Sequence, residues 1–322
     1  MDVPDKKKPA GPPAKKRKLS DVKGKLSSGK SRLRKQQKRD KIVQDVDPTK
    51  VYTLHKGSKT RGTKVIVYGQ SGMGKTTICT LLPNPVFLAA DDGIDDIQHP
   101  VTGEDLPTYK VASYQDLRNM LAQPKLFEDF DTIVLDTMTM TEEMAVEWVL
   151  ENVKNGDTYA KNLESYGWGK GYFHLSEADN VIKHDLQKLV NAGKNVVIIC
   201  QTVATKRSEA GAEDYLKDMP KLVYRPNVKA TAAMDFVEWA DHVLRIGYGD
   251  LKVSKSKRVS SSGDRVVFVH PEVHFEAKSR TIPGQFPIVS FCDQSDGSIW
   301  EFIFNNAWEA LMEEEDGNTE SE

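Results

Sequence analysis

The chain has 322 residues, 39% of them hydrophobic, enough for one large α/β domain or two small ones around a sizeable core. No apolar run approaches the ~18 residues of a membrane span, and no signal-peptide hydrophobic region leads the sequence, so a membrane or secreted protein is not expected. The formal net charge of −2 conceals an asymmetry, because residues 1–41 carry 16 of the 45 Lys and Arg but only 4 of the 47 Asp and Glu.

That basic stretch contains Pro, Gly and Ser and almost no large apolar residue, which predicts a disordered arm over residues 1–50. A polycationic arm binds phosphate backbones without sequence preference. A solubilising tail and, from "PAKKRK", a nuclear-import signal are the other readings of it. A folded domain is expected over 51–305, followed over 306–322 by the end of a terminal helix and an acidic tail, "MEEEDGNTESE". Cys79, Cys200 and Cys292 are odd in number, far apart and set in apolar or strand-like surroundings, as buried thiols of a reducing compartment are.

From Thr63 onward, β-branched apolar runs alternate with helical patterns, which predicts an α/β fold with a mainly parallel sheet flanked by helices. Strands are expected at "KVIVYG", "PVFLAAD", "TIVLD", "NVVIICQ" and "HVLRIGYG". Helices are expected after the first strand and at "SYQDLRNMLAQ", "TEEMAVEWVLENV", "LSEADNVIKHDLQKLVNAG" and "ATAAMDFVEWA". In the fourth of these, Leu175, Ala178, Ile182 and Leu186 recur at helical steps, with Ser176 or Asp179 as a start and Gly193 as an end. Beyond Gly249 the pattern changes to an antiparallel meander through "DRVVFVHPEVHFEAKSR" and "FPIVSF", then a terminal helix at "FNNAWEALMEEE".

Between the first strand and first helix stands "GQSGMGKTT", Gly69 to Thr77. Its spacing is that of a phosphate-binding loop, in which the backbone of Gly69, Gln70, Ser71, Gly72, Met73 and Gly74 wraps a polyphosphate. Lys75 is placed for the β- and γ-phosphates, Thr76 for Mg²⁺, and Thr77 continues the cradle into the helix. Asp136, closing "TIVLD", is the expected carboxylate facing Mg²⁺, with Thr137 and Thr139 as supporting hydroxyls. ATP and Mg²⁺ are therefore the expected ligands. Hydrolysis also needs a group to orient water, and "PVFLAADD" delivers Asp91 and Asp92 to the carboxyl edge of the sheet, where ligands bind in such folds.

The ordered set "GQSGMGKT", "NPVFLAADDG", "TIVLDTMT", "YGWGKGY", "VVIICQT" and "EAKSR" resembles the RecA-like ATPases, and among them the phage-borne, core-only recombinases that include the Sak-type single-strand annealing proteins. The resemblance covers roughly residues 60–290. It implies that Asp91 is the catalytic carboxylate, where such families usually have Glu, with Asp92 as the alternative. It implies that Gln201 senses the γ-phosphate and passes its presence to a following DNA-facing loop. "EAKSRTIPG" resembles the Lys-x-Arg strand of hexameric motors, so Lys278 and Arg280, side by side on a β-strand, would reach into a neighbour's site; an exposed basic strand face is the plainer reading. A homo-oligomer, ring or filament, acting on single-stranded DNA in a bacterial cytoplasm near the nucleoid follows from the resemblance, with a single-strand-binding protein as a further partner. A ring-forming DNA motor or helicase accessory and a nucleotide-gated, non-catalytic scaffold are the alternatives.

Two connections are candidates for DNA contact. "NGDTYAKNLESYGWGKGYFH" interleaves Tyr159, Tyr166, Trp168, Tyr172 and Phe173 with Lys161 and Lys170, a mixture suited to stacking on bases. Trp168 and Tyr172 are also at helical spacing, so packing beneath the next helix is equally open. The stretch after Gln201 carries Lys206 and Arg207. His270 and His274 in "HPEVH" have a zinc-like spacing only on a helix, and Pro271 with its apolar flank argues for strands instead.

Overall fold

The computed structural model describes residues 61–208, 214–222, 231–249, 252–253, 259–260, 263–291 and 293–312, together with Thr49. The chain divides into Met1–Ser58 and Lys59–Glu322. The basic arm, apart from Thr49, the acidic tail from residue 313 and Cys292 lie outside the described residues.

In chain order the elements are β1 (Lys64–Gly69), α1 (Lys75–Cys79), β2 (Pro85–Ala89), β3 (Thr108–Lys110), α2 (Tyr114–Leu121), β4 (Thr132–Asp136), α3 (Met138–Asn152) and α4 (Lys170–Asn191). They continue with β5 (Asn195–Arg207), β6 (Tyr215–Pro220), α5 (Thr231–Trp239), β7 (His242–Tyr248), β8 (Arg265–Phe268), β9 (Ile288–Ser290) and α6 (Ser298–Phe304). The main sheet runs β9-β8-β7-β1-β5-β4-β2-β3, with β6 paired to the far half of β5. The six strands from β7 to β3 are parallel, and β8 and β9 add an antiparallel hairpin at one edge. This is an α/β fold, a mainly parallel sheet flanked by helices, with a C-terminal antiparallel extension.

The central strands are buried on both faces, which is why they read as unbroken β-branched runs. Ile66 and Tyr68 of β1 pack into a core shared with α2, α3, α4 and α5, while Val65 and Val67 pack into one shared with α1 and α6. Cys79 and Cys200 are buried free thiols within these two cores. No helix of the described residues is long and apolar enough to cross a membrane.

Several expectations need correction. α4 begins at Lys170, so Ser176 and Asp179 lie within it rather than at its start, and Asp179 is buried. β3 has only three residues, too few to show a period, and the sequence gives no sign of it. The segment holding Lys278 and Arg280 is not a strand but a single bridge, Lys278 to Val243, because it peels away to cover the end of α5. A helix that was not expected, α6 over "SIWEFIF", precedes the expected terminal one, which is helical over its described residues 308–312; Trp300 of α6 donates to the Ile78 carbonyl of α1 at 2.7 Å.

The end of the sheet remote from the phosphate loop is tied by one carboxylate. Asp241, 3% exposed, accepts two hydrogen bonds at 2.9 Å from Arg61 and one at 3.2 Å from the Lys64 amide, and Arg280 approaches at 3.5 Å. Burial alone would raise its pKa, but the Arg61 hydrogen bonds and the Lys64 charge outweigh burial and hold it below the usual carboxylate range. Its contribution to stability is therefore present above the ordinary carboxylate pKa and lost as the pH falls through the lower folded value. Asp241→Ala is expected to cost about 2–4 kcal/mol in urea denaturation at neutral pH, since it strands the cations around it; a loss below about 0.5 kcal/mol would remove this tie from the account.

Candidate nucleotide site

Four parallel strands end at the same edge. Gly69 of β1 aligns with Gln201 of β5, and Ala89 of β2 aligns with Asp136 of β4. The cleft they open onto, about 420 Å³, is lined by Ser71, Gly72, Gly74, Lys75, Thr76, Thr77, Asp91, Gly93, Ile97, Asp136, Thr137, Gln201, Arg265 and Gln294. Residues far apart in sequence thus meet at one place.

The loop takes its shape from Gly72 and Gly74, with φ of +76° and +85°, a region that side chains rarely adopt. Gly69 closes β1, and the Met73 side chain packs into the core beneath the loop, so both serve through backbone and packing. Gln70 supplies a carbonyl that accepts from Lys75 Nζ at 2.9 Å. Burial lowers the Lys75 pKa, with the Asp136 charge opposing.

Thr76 Oγ1 donates to Asp136 Oδ2 at 2.8 Å, joining the loop to β4. A hydroxyl and a carboxylate held together beside a glycine cradle form the donor set a hard divalent cation takes, so Thr76 and Asp136 would hold Mg²⁺. Asp136 is 6% exposed, and its pKa is pushed up to about 6, by burial first and also by the Asp91 charge, against the Thr76 hydrogen bond and Lys75. Burial of the Asp136 carboxylate is thus only partly offset by Thr76 and Lys75.

The two candidate water-orienting carboxylates separate cleanly. Asp91 lines the cleft, one oxygen accepting from the Gly93 amide at 2.9 Å, whereas Asp92 is turned outward beside Lys110 at 3.5 Å. Gln201 is fixed through its backbone: its amide donates to Thr139 Oγ1 at 3.2 Å, and its carbonyl accepts from the Lys221 amide at 2.7 Å. Thr137 caps α3, its hydroxyl accepting from the Met140 amide at 3.3 Å.

Immediately after Gln201 the expected loop is instead a β-hairpin, Thr202–Arg207 against Tyr215–Pro220. Lys206 pairs with Asp214 at 2.5 Å, and an Arg207 nitrogen lies 2.9 Å from Met219 Sδ. Trp168 is 100% exposed, which removes the reading that it packs beneath α4; Tyr166 is buried and Tyr172 reaches Glu164 at 2.5 Å. Trp168 stands at φ +52° between Gly167 and Gly169 at +71° and +73°. A bulky residue in that region is strained, a condition that clusters at functional positions. Lys170 opens α4 beside it.

Lys278 and Arg280 do not come to the chain's own cleft. They lie at the opposite edge of the sheet, where Lys278 Nζ donates to the carbonyls of Val237, Glu238 and Ala240 at 2.7–3.1 Å, closing the end of α5. His270 Nε2 is 3.0 Å from the Pro283 carbonyl, and His274 lies 3.4 Å from Glu272. Arg265 and Gln294 line the nucleotide cleft but escaped the sequence reading. The only signal for Arg265 was a cation opening a strand.

Asp136 supports a test without nucleotide. Its raised pKa means that its stabilising contribution is full below the ordinary 3.8 and lost as the pH rises through about 6. Asp136→Asn should therefore stabilise the nucleotide-free protein by about 2–3 kcal/mol near pH 8 and leave it unchanged near pH 3, while removing stabilisation by Mg²⁺-nucleotide. Thermal melts across pH check this, and an Asn variant less stable than wild type near pH 8 contradicts it.

A family model described as an AAA domain matches residues 61–281, a span that includes the phosphate loop, Asp91, Asp136 and Gln201. No curated protein matches the chain. The family match covers more than half of the sequence and coincides with a P-loop cleft built on a mainly parallel sheet; the chain belongs to the AAA-domain family of P-loop ATPases.

Proposed function

We propose that the protein is a RecA-like ATPase that acts on single-stranded DNA, in annealing, recombination or replication of a phage or bacterial genome. One observation carries the reading: Gln201 lines the nucleotide cleft and is also the last residue before a hairpin that projects from the same edge of the sheet. In this scheme Lys75 and the loop amides hold the triphosphate, Thr76 and Asp136 hold Mg²⁺, and Asp91 orients water for attack on the γ-phosphate. When bound, Mg²⁺ neutralises charge on the phosphate oxygens.

The DNA part rests on what overshoots the sheet. The C-terminus of α4 meets β1 at its start, where the Gly62 amide donates to the Val190 carbonyl at 2.9 Å. A helix of 22 residues is ~33 Å long, whereas a six-residue strand is ~20 Å. The first turn of α4, with Trp168 before it, therefore projects past the edge at which the nucleotide cleft opens. The 13-residue β5 overshoots on the same side and brings Lys206 and Arg207 with it. Aromatic and cationic side chains on two such projections suit a single strand, whose bases have open π-faces and whose backbone is anionic. Lys278 and Arg280, away from the chain's own cleft, are proposed to reach a neighbouring subunit's, in a ring or filament.

A slower reading is favoured by one contact. Asp91 is a short carboxylate with one oxygen already committed to Gly93, which suits a nucleotide-gated scaffold with little turnover.

Steady-state ATPase, with and without single-stranded DNA, tests the reading. Wild type should hydrolyse ATP faster with DNA, Lys75→Ala should be inactive, and Asp91→Asn should bind ATP yet turn it over at least about 100-fold more slowly. Trp168→Ala should weaken DNA binding by about 1–3 kcal/mol and reduce the stimulation. Equal turnover in wild type and Lys75→Ala would overturn the ATPase reading; turnover indifferent to DNA would overturn the DNA part.

A further inference from the structure

We infer that Arg265 binds the nucleotide's inner phosphates from within the same chain, a role that rests on the ATPase reading and adds to it. Arg265 opens β8, its backbone paired with Tyr248 of β7. Its guanidinium lies against the phosphate loop: a Cβ placed on Gly74 would meet Arg265 Nη1 at 3.0 Å. Glycine at that position therefore shapes the loop and also admits the cation. No hydrogen bond or ion pair joins the guanidinium to the described residues. Asp293 and Asp296, acids lining the adjoining cleft, each turn one carboxylate oxygen to a nearby serine, Ser295 and the first residue of α6, Ser298, at 2.5–3.0 Å. Among the described residues, no carboxylate is placed on the cation over the loop, which faces the open cleft.

The surrounding clefts say which phosphates it meets. Asp91, Asp136 and Gln201 line the cleft on one side, where the terminal phosphate belongs. A second cleft of about 430 Å³ opens on the other side, lined by Phe291 and Asp293, and reaches neither Asp91 nor Asp136. Arg265 and Gln294 line both. A nucleoside triphosphate with its γ-phosphate at Asp91 and its chain laid along Gly74–Thr77 passes Arg265 before its nucleoside reaches the second cleft. Arg265 meets the phosphates retained in ADP and not the one transferred. A guanidinium presents a planar fork to phosphate oxygens, a geometry lysine lacks. Its anchorage on the antiparallel edge makes that hairpin part of the nucleotide site and requires no second subunit.

The test is equilibrium binding of Mg-ADP and of a slowly hydrolysed Mg-ATP analogue to the full chain. Arg265→Ala and Arg265→Gln should lose about 10- to 100-fold in affinity for both nucleotides by similar factors, the range of one charged hydrogen-bonding partner. Arg265→Lys should recover part of the loss, and the melting temperature without nucleotide should not move. Unchanged affinity in both variants, or a loss confined to the ATP analogue, overturns the inference. A wild-type protein that binds neither nucleotide would sink the ATPase reading and this inference with it, whereas wild-type binding matched by the variants sinks this inference alone.

Discussion

The parallel register of β2, β4, β5 and β1 fixes where each strand ends, and the site follows from that constraint. Side chains at the ends of neighbouring parallel strands lie ~5 Å apart in the pairing direction. With Ala89 opposite Asp136 and Gly69 opposite Gln201, the acid after β2, the acid at the end of β4, the polar end of β5 and the glycine loop after β1 open onto one cleft. A shift of one residue in any pair would turn a functional side chain into the core and bring an apolar one out. The buried β-branched runs that build the sheet therefore also aim the chemistry.

The same edge carries a conflict between stability and function. Asp136 is buried and its ionisation is disfavoured, whereas a divalent cation bound there would need it ionised. A divalent cation held by Thr76 and Asp136 would offset that cost, a pattern common where function and stability compete. Beyond the edge, the base of the β5–β6 hairpin is held firmly. Arg245 of β7 pairs with Asp218 at 2.8 Å while lying 5.3 and 4.9 Å from the rings of Phe268 and Phe275. Tyr68 donates to the Glu276 carbonyl beneath it. The hairpin is thus clamped at its base and joined to the cleft through Gln201.

Much of this was legible in the sequence, for identifiable reasons. The five long strands announce themselves because strands buried on both faces need continuous apolar residues, and the phosphate loop because only glycines give its backbone room. Asp136 followed from its place at a strand end. Other features were not legible. Three-residue β3 carries no period, and the polar alternation in "TVATKR" reads as a loop although it pairs with Tyr215–Pro220. Lys278 and Arg280 alternate as strand residues do, yet a single bridge is all that forms, because Lys278 is drawn to the carbonyls ending α5. Only the family resemblance set Asp91 before Asp92, because no local pattern separates adjacent acids; a backbone turn puts the first in the cleft and the second beside Lys110. Arg265 reaches the loop through a tertiary approach that no local pattern encodes.

The central claim is that occupancy of the cleft reaches the hairpin through Gln201. Hydrogen exchange in residues 202–208 and 214–220, with and without a slowly hydrolysed Mg-ATP analogue, measures it directly. The account predicts that the nucleotide slows exchange in both hairpin strands of the wild type, and that Gln201→Ala still binds the analogue but shows no such slowing. Equal slowing in the variant, or a wild-type hairpin indifferent to bound nucleotide, would contradict it.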